Sequence, residues 1–218
     1  MVYFIIKNII RYAICINNRM VVKRLKLEET GKLSIGMTIS RIEPKLGEAS
    51  QMFELFTMQE LSKETGNYEL NVESQHILVA EKRLKDLTLS KQGMVVIGLT
   101  SYKAFVITEA YENRVIPSNF AYLKCHEDID PYYVAWYFNE HPHIQKQLRL
   151  AMQGSIIRAL SVQMLRELKM NLPSLMIQQR LGSIYRLKSQ RQKLLLEKQK
   201  LEEKLTNQLM IQYLKEEV

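Results

Sequence analysis

A chain of 218 residues can bury one core of ordinary size and still carry an appendage. Apolar residues make up 46% of it, which excludes a disordered chain, and the formal net charge is +8. Residues 1–130 hold 17 basic and 16 acidic side chains, 131–174 hold 5 and 2, and 175–218 hold 9 and 5, so the positive excess lies in the C-terminal part. Nucleic acid or an acidic partner fits that bias, and so does simple solubility. Cys15 and Cys125 stand far apart and make no disulfide framework, which favours a reducing cytoplasm. With His76, His126, His141 and His143 they form no metal-ligand spacing, so no metal is expected.

The first twenty residues, MVYFIIKNIIRYAICINNRM, are apolar but carry Lys7 and Arg11 inside the run. No small-residue cleavage site follows, and the run is too short and broken for a membrane span. Residues 1–19 read as an extension ahead of a start at Met20, with a first element packed on the domain as the competing reading. A globular domain is expected over 20–172 and a long helix over 173–218.

In chain order, a basic stretch (Lys23, Arg24, Lys26) precedes a short helix or turn, then the loop or strand GMTISR at 36–41. QMFELFTM at 51–58 alternates imperfectly and reads as a strand. GNYELNVESQHILVA at 66–80 suggests two short strands around a polar bend. Lys91 to Gly93 is a turn, Met94 to Ile97 a buried strand, Gly98 to Ser101 a bend, and Lys103 to Thr108 a second strand. Residues 115–125 add another, with Pro117 at its edge or before it.

Asp130-Pro131 starts a helix, with aspartate as N-cap and proline at the first position. Tyr133 and Tyr137 share one face of it, as do Val134 and Phe138, and Trp136 reads as a packing aromatic. A second helix runs from Ile144 to Met152. Ser161 caps a short one ending by Leu168, and Leu172-Pro173 holds the chain extended before Ser174 opens the last helix. Gly182 inside that helix costs about 1 kcal/mol against alanine and marks a close helix contact. Ile184, Leu187, Arg191, Leu194, Lys198, Leu201, Leu205 and Gln208 follow three-four spacing, and five of these eight are apolar. A helix over 175–218 would span roughly 66 Å, too long to bury its stripe against the domain, so it needs a partner, most simply a second helix.

Enzyme motifs are missing. There is no phosphate-binding Gly-x-x-x-x-Gly-Lys, no Gly-x-Gly-x-x-Gly and no Gly-x-Ser-x-Gly elbow. Amino-methylating enzymes hold the target amine in an Asn/Asp-Pro-Pro-Tyr/Phe loop. Pro117-Ser118-Asn119-Phe120 has a different order and no methyl-donor glycine motif before it, so Asn119 reads as a turn or strand-edge residue.

Three blocks carry a resemblance: LEETGKLSIGMTISR at 27–41, GMVVIGLTSYKAFVITEAYENRVIPSNFAYLK at 93–124, and the stretch from Ile129-Asp130-Pro131 through Gly154-Ser155 and Leu172-Pro173-Ser174 to Gln178-Gln179. Each is soft, but their order and separation are similar to the specificity subunit of type I restriction–modification systems, over roughly residues 22–210. The chain resembles one half of such a subunit, with one target-recognition domain and one helix where the family has two of each. The fold this implies is α/β (α+β), a mixed-strand domain followed by a coiled-coil-forming helix.

The resemblance implies a non-catalytic DNA reader without a cofactor of its own. Its partners would be double-stranded DNA, DNA methyltransferase subunits that bind the methyl donor, a restriction/translocase subunit that uses ATP where one is present, and a second copy or another half-subunit. Candidate DNA contacts are Thr38, Ser40 and Arg41, then Gln92, Ser101, Lys103 and Arg158, with Gln75 and Asn67 as further adenine-reading candidates. Arg41 reads equally as a solvated turn residue, Ser101 and Lys103 read rather as polar residues that simply face water, and Arg158 is otherwise a partner for Glu167. Ile184, Leu187, Leu194, Leu201 and Leu205 are the expected helix-pairing residues; packing on the chain's own domain is their other reading. A second function also fits: an adaptor that docks the methyltransferase through the helix and reads nothing.

Overall fold

The structure, a computed structural model, describes residues 22–68, 71–152 and 159–216. Residues 1–19 and Arg158, and with it the Arg158–Glu167 pairing, lie outside the described residues.

The strands are β1 (Lys23–Lys26), β2 (Gly31–Ile35), β3 (Ser50–Leu55), β4 (Gln75–Ala80), β5 (Val95–Gly98), β6 (Ala104–Val106), β7 (Phe120–Cys125) and β8 (Lys169–Leu172). The helices are α1 (Met58–Thr65), α2 (Pro131–Glu140), α3 (Pro142–Met152), α4 (Val162–Glu167) and α5 (Leu175–Glu216). A four-stranded sheet in the order β2-β7-β5-β6 forms the centre, and β3-β4 and β1-β8 are separate two-stranded ribbons. Every named strand pair is antiparallel, so the mixed α/β character is of the α+β kind.

The central strands are apolar on both faces because both are covered. On one face Leu33, Val95, Ile97 and Leu123 meet Val134 and Phe138 of α2. On the other, Val96, Phe120 and Tyr122 meet Phe56 and Leu61 beside α1. A smaller cluster of Ile42, Val79 and Val115 anchors the β3-β4 ribbon. Asp130 caps α2 by accepting from Tyr133 N at 2.7 Å, with Pro131 at its first position, and Ser161 caps α4, accepting from Met164 N at 3.1 Å.

Three expectations are corrected. Residues 51–58 are strand only to Leu55; Thr57 and Glu60 then close a reciprocal capping box, Glu60 N donating to Thr57 Oγ1 at 3.1 Å and Thr57 N to Glu60 at 2.8 Å, and α1 begins. The described part of 66–80 holds one strand, β4. The basic stretch around Lys23 and the chain between the short helix and Pro173, neither read as part of a strand pair, are the paired strands β1 and β8.

Candidate nucleic-acid interface

Antiparallel pairing decides which loops share an end of the central sheet. Ile35 lies opposite Ala121, and Ala121 opposite Ile97, which in turn pairs with Ala104. The exit of β2, the β5–β6 turn and the start of β7 therefore stand at one end. Thr38, Ser40 and Arg41, all exposed, follow β2 there on a short 3-10 turn. Lys103 is exposed in the β5–β6 turn, next to Tyr102, which sits at φ 55°, a region that costs side-chain-bearing residues energy. Ser101 is different. Its hydroxyl is buried against Gly98 and has no hydrogen-bond partner among the described residues, so Lys103 is the solvent-facing member of that turn. Leu160 N donates to Leu99 O at 2.8 Å, tying the chain ahead of α4 to the same end.

Gln92 is not with them. It is exposed in the turn that leads into β5, at the opposite end of the sheet, where its backbone N–H donates to Glu112 at 2.8 Å. Gln75 begins β4 opposite Leu55, and Asn67 lies after α1; both are exposed.

Sequence reasoning missed a polar network that links the β3-β4 ribbon to the long helix. Arg114 stands between Glu54, at 2.8 Å, and the buried Glu60, with its guanidinium 4.8 Å from the centre of the Tyr111 ring. Tyr111 donates its hydroxyl to Glu64 at 2.9 Å, and Glu64 is paired with Lys193 of α5. Burial, then the Glu64 carboxylate, raises the Tyr111 pKa, so the phenol stays a donor. The Cys125 thiol is pushed up to about 12, first by burial and then by Asp130, and is protonated at neutral pH. His141 stacks on Tyr137 with ring centres 4.0 Å apart, and its pKa is lowered by burial and by His143.

The joint between domain and rod is built on Gln178 and Gly182. Gln178 is 3% exposed; its amide donates to Pro173 O at 2.9 Å and Asp128 O at 3.3 Å and accepts from Asp130 N at 3.1 Å. Gly182 lets α5 press on the start of α2: a Cβ there would collide with Asp130 Oδ1 and lie 3.0 Å from Tyr133 N. Tyr185 continues the contact, its hydroxyl accepting from Asn139 at 2.8 Å, and Lys188 pairs with Glu140 at 2.7 Å.

Beyond Lys193 the helix leaves the domain. Residues 197–214 are all exposed. Ile184, Leu187, Leu194, Leu201 and Leu205 lie on the surface, Leu201 at 62%, and Leu209, Ile211 and Leu214 extend the apolar character. Packing of Leu194, Leu201 and Leu205 on the chain's own domain is therefore ruled out among the described residues. Within those residues no helix is long and apolar enough to cross a membrane, and no cluster of three histidine, cysteine or acidic groups could hold a metal ion.

No family model and no curated protein matches the sequence. Solved structures do match. A chain from a study of complex assembly and conformational transition of the type I R-M system superposes with a TM-score of 0.54 at 15% identity, over 83% of this chain and 41% of that one. The HsdS subunit from Thermoanaerobacter tengcongensis gives 0.53 at 13% identity, over 74% and 40%. The type I restriction-modification S subunit from M. genitalium gives 0.50 at 14% identity, over 82% and 41%. The chain has the fold of a type I specificity subunit. It spans about two-fifths of the length of each of these chains. That fold is the one the three sequence blocks implied.

Proposed function

We propose that this chain is a half-length specificity subunit that reads duplex DNA for a type I restriction–modification system and does no chemistry itself. The shared fold over 83% of the chain is the observation that carries this reading. The loops holding Thr38, Ser40, Arg41 and Lys103 at one sheet end would meet the duplex, cations on phosphates and one or two side chains on base edges. The exposed stripe of α5 would pair with a second chain, and antiparallel pairing of two such helices sets the domains at opposite ends. The target is then two short inverted half-sites with a spacer fixed by the helices. Methyltransferase subunits dock on the helical core and bring the methyl donor.

Arg41→Ala should weaken binding of the assembled complex to its selected duplex about tenfold, roughly 1–2 kcal/mol, without changing the mass of the complex. Unchanged affinity removes Arg41 from the interface. Pairing is tested by light scattering on the full chain, alone and with the methyltransferase subunit. Wild type should carry two copies per particle, and Leu194→Glu with Leu201→Glu should halve that number, because two charges would enter an apolar seam. One copy per particle in the wild type under both conditions sinks the paired model.

The adaptor reading is favoured by one observation: residues 36–125 hold 10 basic and 11 acidic side chains, so that region carries no net positive field. It predicts methyltransferase capture with no duplex binding above that of the methyltransferase alone.

A further inference from the structure

Two lysine pairs face each other directly across strands, and the fold treats them differently. Lys26 lies opposite Lys169 in the β1-β8 ribbon. That repulsion is relieved, because Glu167 pairs with Lys26 at 2.8 Å and Glu28 lies 4.0 Å from it. Lys32 lies opposite Lys124 across β2 and β7. Both are exposed, and neither has a carboxylate within ion-pair distance among the described residues. The Lys124 ammonium lies 6.0 Å from the centre of the Tyr122 ring. Like charges directly opposite each other cost stability in an antiparallel pair. Lys91 adds a third positive charge, since it lines the same shallow basin as Lys124, Gln92 and His126. Glu127 stands on that rim and offsets part of the charge.

We propose that Lys32 and Lys124, with Lys91 beside them, form a second DNA contact that grips the phosphate backbone without regard to sequence. It rests on the DNA-reading function proposed above and adds to it a site at the other end of the sheet. A phosphate between two opposed ammonium groups converts their repulsion into a bidentate attraction, which an exposed pair on rigid strands is placed to supply. Lys32 is the second residue of β2 and the Thr38–Arg41 turn follows its end, so the two contacts are about one strand-length apart, roughly 17 Å. Duplex DNA rises about 3.4 Å per base pair, so that interval laid along the helix axis is about five base pairs. The loops would then test bases while the lysine pair fixes the register of the domain on the duplex. Gln92, in the same basin, belongs to this contact rather than to base reading.

The test is the salt dependence of binding by the full chain in complex with the methyltransferase, on its selected duplex and on one of scrambled sequence. Lys32→Thr with Lys124→Thr should lower the slope of log K against log salt by about 0.9 on both duplexes, since the pair holds one phosphate and each lost phosphate contact removes roughly 0.9. The ratio of affinities between the two duplexes should stay constant. The variant's melting temperature should not fall, because a repulsive pair has gone. If the wild type prefers its selected duplex and the variant keeps the full slope, the lysine contact is overturned while the reading function stands. If the wild-type complex binds neither duplex better than the methyltransferase alone, the reading function fails and this contact with it. If the variant keeps the slope but no longer captures the methyltransferase, the lysines serve an acidic protein surface and the DNA contact is overturned.

Discussion

Arg114→Ala should destabilise the domain by about 3–5 kcal/mol, the usual cost of stripping one partner from a buried ion pair. The Arg114 side chain is 12% exposed and that of its partner Glu60 is 6% exposed. Glu60 also accepts from Thr57 N at 2.8 Å, which fixes the carboxylate in place at the start of α1. With the guanidinium gone, the carboxylate cannot turn to water without giving up that cap. Arg114 further donates to Ala110 O at 3.2 Å and sits over Tyr111, so the loop ahead of β7 loses its anchor as well. Glu54 is half-exposed and its pairing contributes little. Urea denaturation of the full chain measures the loss. Glu60→Gln keeps an acceptor for the cap and removes the stranded charge. The double variant Arg114→Ala, Glu60→Gln should therefore lose clearly less than the sum of the two single losses. A loss below 1 kcal/mol for Arg114→Ala, or additive losses, would mean that Glu60 is solvated and the network is ornamental.

That network was not legible in the sequence, for a physical reason. Arg114, Glu54, Glu60, Glu64 and Lys193 come from β3, α1, a loop and α5, and charged residues give no periodic signal that reports a partner far along the chain. The β1-β8 ribbon failed for the same reason. KRLK has a single apolar residue and KMNL alternates over only four positions, too short a run to read as a strand, and their pairing spans most of the domain. By contrast, features set by neighbours in sequence were readable: the Asp130-Pro131 start of α2, the Ser161 cap, the extended Leu172-Pro173 and the close contact at Gly182. The capping box of Thr57 and Glu60 belongs to this group too. It was overlooked because the alternation of QMFELFTM, a real strand signal up to Leu55, was carried three residues too far. At the candidate interface, loop residues could be nominated one by one. Which of them share an end depends on strand register, so only the structure separates Gln92 from Arg41 and turns the Ser101 hydroxyl inward.

Gly182→Ala should cost about 2 kcal/mol even though alanine is the better helix former. Helix propensity alone favours the change by about 1 kcal/mol. Against it, the new methyl group would meet Asp130 Oδ1 and lie 3.0 Å from both Tyr133 N and Tyr132 Cβ. Overpacking of this kind costs about 1–3 kcal/mol. Moving Asp130 aside is not free either, because its carboxylate caps α2 and losing such a cap costs about 1 kcal/mol. The two terms together exceed the propensity gain. The clash involves one side chain in particular, so the penalty should depend on it. In an Asp130→Ala background the cap is already absent and the space is open, and Gly182→Ala should then be close to neutral. A coupling of about 1–2 kcal/mol between the two sites is the expected signature in denaturation of the four proteins. Equal costs in both backgrounds would show that α5 slides rather than presses on α2. Gln178 opposes such sliding: its three hydrogen bonds to Asp128, Asp130 and Pro173 fix the first turns of the rod to the start of α2. A rod seated by one glycine and one glutamine holds its far end at a defined angle to the central sheet, and the proposed bipartite reading would need that angle for its half-site spacing. If the chains pair as proposed, Gly182→Ala should accordingly broaden or shift the spacer they accept, which selection from duplexes with randomised spacer length would read directly.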